Sequence, residues 1–239
     1  MQVITLDRNG LDAAAEQLAR AVAGDGRQAK AVVGDGQLAR AVAGDGQLAR
    51  AVAGDGQLAR DGGAGRFDAI IGIRRGGSFV CDAFCKVFPE ALYGARYDIT
   101  LQRPSTKRKG GVTGAVLRCL PMKVLDMLRI AESRVLSFFN RHRKGRGLPE
   151  VVMEAGLTEI LSHTAQPRVL IIDDAIDSGT TMAAVVSALK KLNPDVGVTT
   201  AVITVTTSDP AVTADFAIYR NRTLIRFPWS NDYRQAPKA

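Results

Sequence analysis

Two adjacent carboxylates, Asp173 and Asp174, follow the branched apolar run Val169-Leu170-Ile171-Ile172 and precede the hydroxyl-rich turn Ser178-Gly179-Thr180-Thr181. The apolar run reads as a buried parallel strand, with the two acids where that strand leaves the sheet. The turn opens the helical pattern of residues 182–192, which Asn193 and Pro194 close. Backbone N–H groups at a helix start, with Ser and Thr hydroxyls beside them, form a phosphate cradle. Paired carboxylates next to such a cradle suit a ligand that carries a phosphate and vicinal hydroxyls, or a divalent cation. A strand–loop–helix unit sets this loop at the carboxyl end of a sheet, where open α/β proteins bind ligands.

A second strand–loop–helix unit lies upstream. Residues 67–73 read as a buried strand, Arg74-Arg75-Gly76-Gly77 as a loop, and residues 79–87 as a helix. The glycine pair lets backbone approach a ligand without Cβ interference, and the arginines offer donors to a polyphosphate. Further strands are expected over residues 91–100, 197–205, 216–219 and 223–227. Residues 10–23 read as a helix through the stripe Leu11, Ala15, Leu18 and Val22. Val124, Leu125, Leu128, Ala131, Val135, Leu136 and Phe139 recur at helical spacing, and residues 151–161 suggest another helix. Core packing, a lid over the site and a contact between two copies of the chain all remain open for that stripe.

The length of 239 residues is enough for one substantial α/β domain. Cys81, Cys85 and Cys119, with only His142 and His163 to help them, form no metal-ligand set. They read as small thiols in a reducing compartment. The N-terminus lacks a signal-peptide pattern and no apolar run is long enough to span a bilayer. A cytoplasmic, membrane-free protein is therefore expected. The net charge of +8 concentrates in residues 103–109 and 141–146. Neither segment has the heptads, zinc spacing or aromatic interleaving of a nucleic-acid module, which leaves a solvated face or the binding of a small anion.

Residues 21–60 are four copies of a ten-residue unit, Ala-Val-Ala-Gly-Asp-Gly-Gln-Leu-Ala-Arg, the last two identical. Ten residues make about 2.8 helical turns, so the apolar face rotates from copy to copy. Two glycines per copy further oppose a continuous helix. The Gly-Asp-Gly triplets are similar to calcium-binding nonapeptide repeats, but the period and the Gly-Gly-x-Gly-x-Asp pattern differ. Excising the copies leaves a helix and a short turn feeding the strand at 67–73, as a compact α/β domain requires. The copies are thus expected to expand a surface loop. A chain lacking residues 31–60 should fold and act as the full chain does, with thermal melting and turnover as the checks.

Residues 169–182 closely resemble the phosphoribosyl-pyrophosphate (PRPP) binding motif of the type I phosphoribosyltransferases: a hydrophobic run, two acids, three residues, then Thr/Ser-Gly-x-Thr. Arg74-Arg75-Gly76-Gly77 resembles the pyrophosphate loop of the purine members, with Arg75 in the basic position and a non-proline cis peptide expected there. Pro228-Trp229 followed by Asp232 resembles the C-terminal hood of xanthine-guanine phosphoribosyltransferases and their archaeal relatives. The resemblance implies a single type I phosphoribosyltransferase domain over residues 1–239. It would be a mainly parallel sheet flanked by helices, with a small hood, the repeat loop at 21–60 and a helical insertion at 112–165.

It also implies magnesium-dependent transfer of the 5-phosphoribosyl group from PRPP to a ring nitrogen of a purine-like base, releasing pyrophosphate, as in nucleotide salvage. Ser178, Gly179, Thr180 and Thr181 would hold the 5′-phosphate, and Arg74, Arg75, Gly76 and Gly77 the pyrophosphate. Asp173 and Asp174 would face the ribose hydroxyls and Mg2+, joined at the metal by Asp232, while Trp229 and Phe227 would contact the base. Asp177 would relay a proton at the base nitrogen, or else cap the following helix. Lys107, Arg108 and Lys109 would lie in a loop that starts near Arg96-Tyr97 and neutralise the leaving pyrophosphate. PRPP and a nucleobase-like acceptor are the expected partners, nucleic acid is not, and a homodimer is compatible with the apolar stripe.

One departure bears on the base. The 6-oxopurine members carry a lysine at the end of the next strand, whereas this chain has Val205-Thr206-Thr207-Ser208 and no lysine in 192–237. A threonine or the backbone then reads the base, or the base is not a standard 6-oxopurine. The competing class is a non-catalytic PRPP-sensing regulator on the same fold, binding nucleic acid or a protein. The retained Asp177, basic loop and aromatic hood argue against it. A P-loop kinase is disfavoured by the absence of Gly-x-x-x-x-Gly-Lys-Ser/Thr.

Overall fold

The computed structural model describes residues 2–24, 66–102, 120–142, 148–207, 209–220 and 223–234. Most of the decapeptide copies, and Lys107, Arg108 and Lys109, lie outside the described residues. The sequence alternates strand and helix, and the sheet it builds is correspondingly parallel. The strands are β1 (Gln2–Thr5), β2 (Phe67–Ile73), β3 (Tyr93–Gln102), β4 (Glu150–Val152), β5 (Arg168–Ile176), β6 (Gly197–Val205), β7 (Phe216–Tyr219) and β8 (Thr223–Arg226). The α-helices are α1 (Arg8–Val22), α2 (Gly76–Cys85), α3 (Met122–His142), α4 (Ala155–His163) and α5 (Thr180–Leu192).

The main sheet runs β4-β3-β2-β5-β6-β7. All its neighbours are parallel except β3 and β4, and a separate parallel pair joins β1 to β8. From β2 the chain moves outward to β3, then crosses back to β5 on the other side. The strand order therefore reverses between β2 and β5, and the carboxyl ends of those two strands flank the crevice where such sheets hold ligands.

Alternation along the central strands builds two core layers. Ile70, Leu170, Ile172 and Ile203 face α1 and α2, where they meet Leu18, Val80 and Phe84. Ile71, Val169, Ile171 and Val202 face the other side and meet Leu157 and Leu161 of α4 and Val185 and Leu189 of α5. Each such side chain, fully buried, contributes about 1.5–3 kcal/mol. Helix α1 is capped by Asp7, whose carboxylate accepts from Gly10 N–H at 2.7 Å. It stops at Gly24, whose φ of +79° is the left-handed turn glycine adopts freely.

Several expectations need correction. Asp173 and Asp174 do not lie beyond β5, because the ladder continues through Ala175 opposite Thr204 and Ile176 opposite Val205. Residues 151–161 are not one helix. Glu150–Val152 pairs antiparallel with β3, and α4 begins only at Ala155 after extended backbone at Glu154. Helix α2 starts at Gly76, inside the glycine pair, not at residue 79. The apolar stripe of α3 is not core packing over its described side chains: Leu125 is buried, whereas Val124, Leu128 and Ala131 are exposed. The side chains of Val135, Leu136 and Phe139 lie outside the described residues.

Candidate active site

The two loops singled out by sequence meet at the strand reversal. Asp173 is buried on β5, and its Oδ1 accepts from the Asp174 N–H at 2.9 Å. Directly across, Gly76 and Gly77 open α2 beneath the two acids. A Cβ on Gly76 would collide with the Asp174 carboxylate, and one on Gly77 would lie 2.7 Å from Ile172 O and 2.9 Å from Asp173 Cα. The glycine pair is what allows the basic loop and the acids to pack against each other. The peptide between Arg74 and Arg75 is cis, as the resemblance implies. Arg74 Nε lies 3.5 Å from Asp98 Oδ2 on β3. Arg96, on the same strand, is held by Asp82 at 2.7 Å and Asp98 at 3.2 Å.

The two acids carry an electrostatic deficit. Burial, reinforced by the neighbouring Asp174 charge, pushes Asp173 well above the usual carboxylate range. Burial also raises Asp174, against the opposing hydrogen bond from Trp229. Buried like charges favour uptake of a proton or a cation.

Beyond Asp177, Gly179 takes a left-handed conformation (φ +76°) immediately before α5. A Cβ there would sit 2.7 Å from Val212 N and 2.8 Å from Ala211 N. Ala211 N–H in turn donates to Ser178 O at 2.8 Å, which ties the turn to the segment after β6. The Ser178 and Thr180 hydroxyls lie 3.0 Å apart at the start of α5. This is the arrangement of hydroxyls and first-turn N–H groups that binds a phosphate.

The aromatic end of the site comes from the segment after β8. Trp229 stacks with Phe227 at 4.8 Å between centroids and 5° between planes, and with Phe79 of α2 at 5.0 Å. Its indole N–H donates to Asp174 Oδ2 at 3.0 Å, joining hood and acid pair directly. Asp232 is differently employed. Arg129 Nη1 donates to its Oδ1 at 3.0 Å and Arg226 Nε to its Oδ2 at 2.9 Å. Burial alone would raise Asp232, but the hydrogen bond from Arg226 and the charges of Arg129 and Arg226 bring it below the usual range.

A cleft of about 1310 Å³ connects these parts, from Arg74 and Arg75 past Asp177 and Thr181 to Phe227 and Trp229, with Arg129 and Glu132 of α3 in its wall. Sequence reasoning missed Phe79 and Arg129. Phe79 and Arg129 carry no local signature of a site, since each was placed inside an ordinary amphipathic helix.

The family model described as "Phosphoribosyl transferase domain" matches residues 56–231. The chain belongs to the phosphoribosyl transferase domain family. Its mainly parallel sheet flanked by helices is the type I phosphoribosyltransferase fold, and the expected enzyme class, a phosphoribosyltransferase, holds. No curated protein matches this sequence. Among solved structures, a purine phosphoribosyltransferase from Pyrococcus horikoshii is similar at 16% identity, with 100% of both chains covered and a TM-score of 0.49. A hypothetical protein from Neisseria gonorrhoeae with bound ppGpp is 15% identical over 95% of this chain and 89% of that one (TM-score 0.46). The Helicobacter pylori xanthine-guanine-hypoxanthine phosphoribosyltransferase is 13% identical over 68% and 73% (TM-score 0.38). Among the described residues no helix is long and apolar enough to cross a membrane.

Proposed function

We propose that this phosphoribosyltransferase moves the 5-phosphoribosyl group of PRPP onto a ring nitrogen of a purine-like base and releases pyrophosphate. The observation that carries the reading is the meeting, in one cleft, of a basic glycine loop, a buried acid pair, a hydroxyl-lined helix start and an aromatic hood. Arg74, Arg75, Gly76 and Gly77 would take the pyrophosphate, and Ser178, Gly179, Thr180 and Thr181 the 5′-phosphate. Asp173 and Asp174 face the ribose hydroxyls. Phe227 and Trp229 supply the base platform, with Phe79 stacked against Trp229. Asp232 leaves the metal set, since two arginines engage its oxygens.

Asp173 and Asp174 would hold Mg2+. Among the described residues no cluster of three or more His, Cys, Asp or Glu could hold a metal ion. Two carboxylates whose shells are completed by substrate oxygens and water suit Mg2+, and buried acids with raised pKa gain most from a cation. Bound there, Mg2+ would neutralise charge on the pyrophosphate oxygens. In the transfer, the bond from ribose C1 to the pyrophosphate oxygen breaks, its electron pair leaving with pyrophosphate. The acceptor nitrogen forms the new bond to C1, and its proton passes to the Asp177 carboxylate.

The salvage role, the cytoplasmic setting, and the placement of residues 21–60 as a loop expansion and 112–165 as an insertion within one domain belong to the same proposal. The test is pyrophosphate release from PRPP and Mg2+ with hypoxanthine, guanine, xanthine, adenine, orotate or uracil. At least one purine should support turnover, and Asp177→Asn should lower kcat about 10²-fold, as loss of a general base does. Unchanged turnover in Asp177→Asn would remove its proton role. Tight PRPP binding without turnover on any base would favour a PRPP-sensing regulator instead.

A further inference from the structure

At the end of β6, where the resemblance leads one to expect a lysine, a buried hydroxyl meets the carboxylate proposed as the proton acceptor. Thr206 follows β6 directly and is 7% exposed. Its N–H donates to Ile176 O at 3.0 Å, so its backbone is fixed by the end of the β5–β6 ladder. Its Oγ1 lies 2.5 Å from Asp177 Oδ1 and 3.4 Å from Ile176 O, so the carboxylate is the closer acceptor. Asp177, by contrast, is exposed on the turn between β5 and α5. An exposed aspartate on a turn samples its rotamers freely. A charge-assisted O–H···O bond from a fixed donor selects one of them.

The geometry points to Thr206 as the positioning residue for Asp177: its hydroxyl engages Oδ1 and leaves Oδ2 to accept the proton of the acceptor nitrogen. The inference rests on the reading of Asp177 as that proton acceptor. It accounts for the missing lysine in chemical terms. A neutral donor orients the carboxylate without adding a cation to this edge of the cleft. The acceptor it fits is a base that surrenders a ring N–H proton and is met at this edge by hydroxyls and carboxylates rather than by an ammonium group. Thr207 and Asp209 line the same stretch of cleft wall, and residues 192–237 contain no lysine.

The experiment compares Thr206→Val, Thr206→Ser, Asp177→Asn and the Val/Asn double variant, using the base that supports turnover in the pyrophosphate-release assay. Valine conserves shape and removes the donor. It should lower kcat about tenfold, the worth of one oriented hydrogen bond, while KM for PRPP stays within about twofold. Serine restores the donor and should recover kcat to within about threefold of wild type, by the same bond. The double variant should be no slower than Asp177→Asn alone, because the hydroxyl then has no general base to orient. If melting shows that valine impairs folding, Thr206→Ala measured against Thr206→Ser gives the same contrast. Wild-type kcat in the valine variant, serine no better than valine, or additive losses in the double variant would overturn the assignment while leaving Asp177 as the base. Wild-type kcat in Asp177→Asn would overturn both.

Discussion

Arg226→Ala should cost about 3–5 kcal/mol of folding stability, the usual penalty for stripping one partner from a buried ion-pair network. For a domain of this size that lowers Tm by roughly 6–20 °C. The Arg226 side chain is 1% exposed. Its Nη2 donates to Asp126 Oδ1 on α3 at 2.7 Å, its Nε to Asp232 Oδ2 at 2.9 Å and its Nη1 to Thr5 Oγ1 on β1 at 3.0 Å. One guanidinium therefore joins the small β1–β8 sheet, the helix in the cleft wall and the segment that carries Trp229. Alanine leaves a void and two carboxylates short of a partner, Asp232 retaining only Arg129. The pH dependence has a definite sign. Asp232 titrates below the usual carboxylate range in the folded protein, so its contribution is present above the unfolded pKa and lost as pH falls through the folded value. The penalty of Arg226→Ala should shrink toward acid accordingly. Chemical denaturation at neutral and acidic pH measures both. A penalty under about 1 kcal/mol, typical of an exposed ion pair, would show that the network carries little.

This network marks the boundary of what local sequence conveys. Residues 223–227 read as a short strand, and that reading says nothing of where the Arg226 charge goes. The partners of that charge, Asp126 and Thr5, are remote in the chain, and no local pattern records them. The same omission left α3 undecided between core packing, a lid and a contact between two copies. Its apolar residues recur at helical spacing and so resemble a core stripe, yet Met127 and Leu128 are exposed while Leu125, Asp126 and Arg129 make the attachments. Periodicity reports that a helix has an apolar face, not that anything covers it.

Where chemistry is compressed into contiguous residues, the reading held. β2 and β6 fall on the expected residues, because continuous branched apolar runs have few alternatives to a buried strand. Gly76, Gly77 and Gly179 were legible as glycines, and each sits where a Cβ would collide, with the Asp174 carboxylate at Gly76 and with backbone at Gly77 and Gly179. Asp173 and Asp174 were legible as a pair but misplaced relative to the sheet end, since hydrophobicity stops before the ladder does. Asp232 was read through its distance from Trp229, and only the fold reveals the two arginines on it. Thr206 was visible as the residue where a lysine was missing, but the direction of its hydroxyl depends on how β6 registers against β5.

Asp174→Asn should separate stability from activity. The acid pair titrates above the usual carboxylate range, because burial disfavours its charged form. The folded protein thus holds protons that the unfolded chain releases. The pair's contribution is fully present below the unfolded carboxylate pKa and is lost as pH rises through the folded values. Asparagine keeps an acceptor for the Trp229 indole N–H and removes one of the two charges. Without ligand, the variant should match wild type at the acid end and become progressively more stable than wild type as pH rises. Mg2+ should reverse the ranking: it binds the deprotonated pair, so the stabilisation it gives wild type grows with pH and largely disappears in the variant. Turnover should fall about 10³-fold, corresponding to the several kcal/mol that a cation holding the leaving group supplies. Melting curves with and without Mg2+ across pH, alongside pyrophosphate release, provide the readouts. If Asp174→Asn is destabilised at every pH, the carboxylate makes a structural contribution that asparagine does not replace, rather than standing as a charge held ready for a cation. Full Mg2+-dependent turnover in the variant would place the metal elsewhere in the cleft.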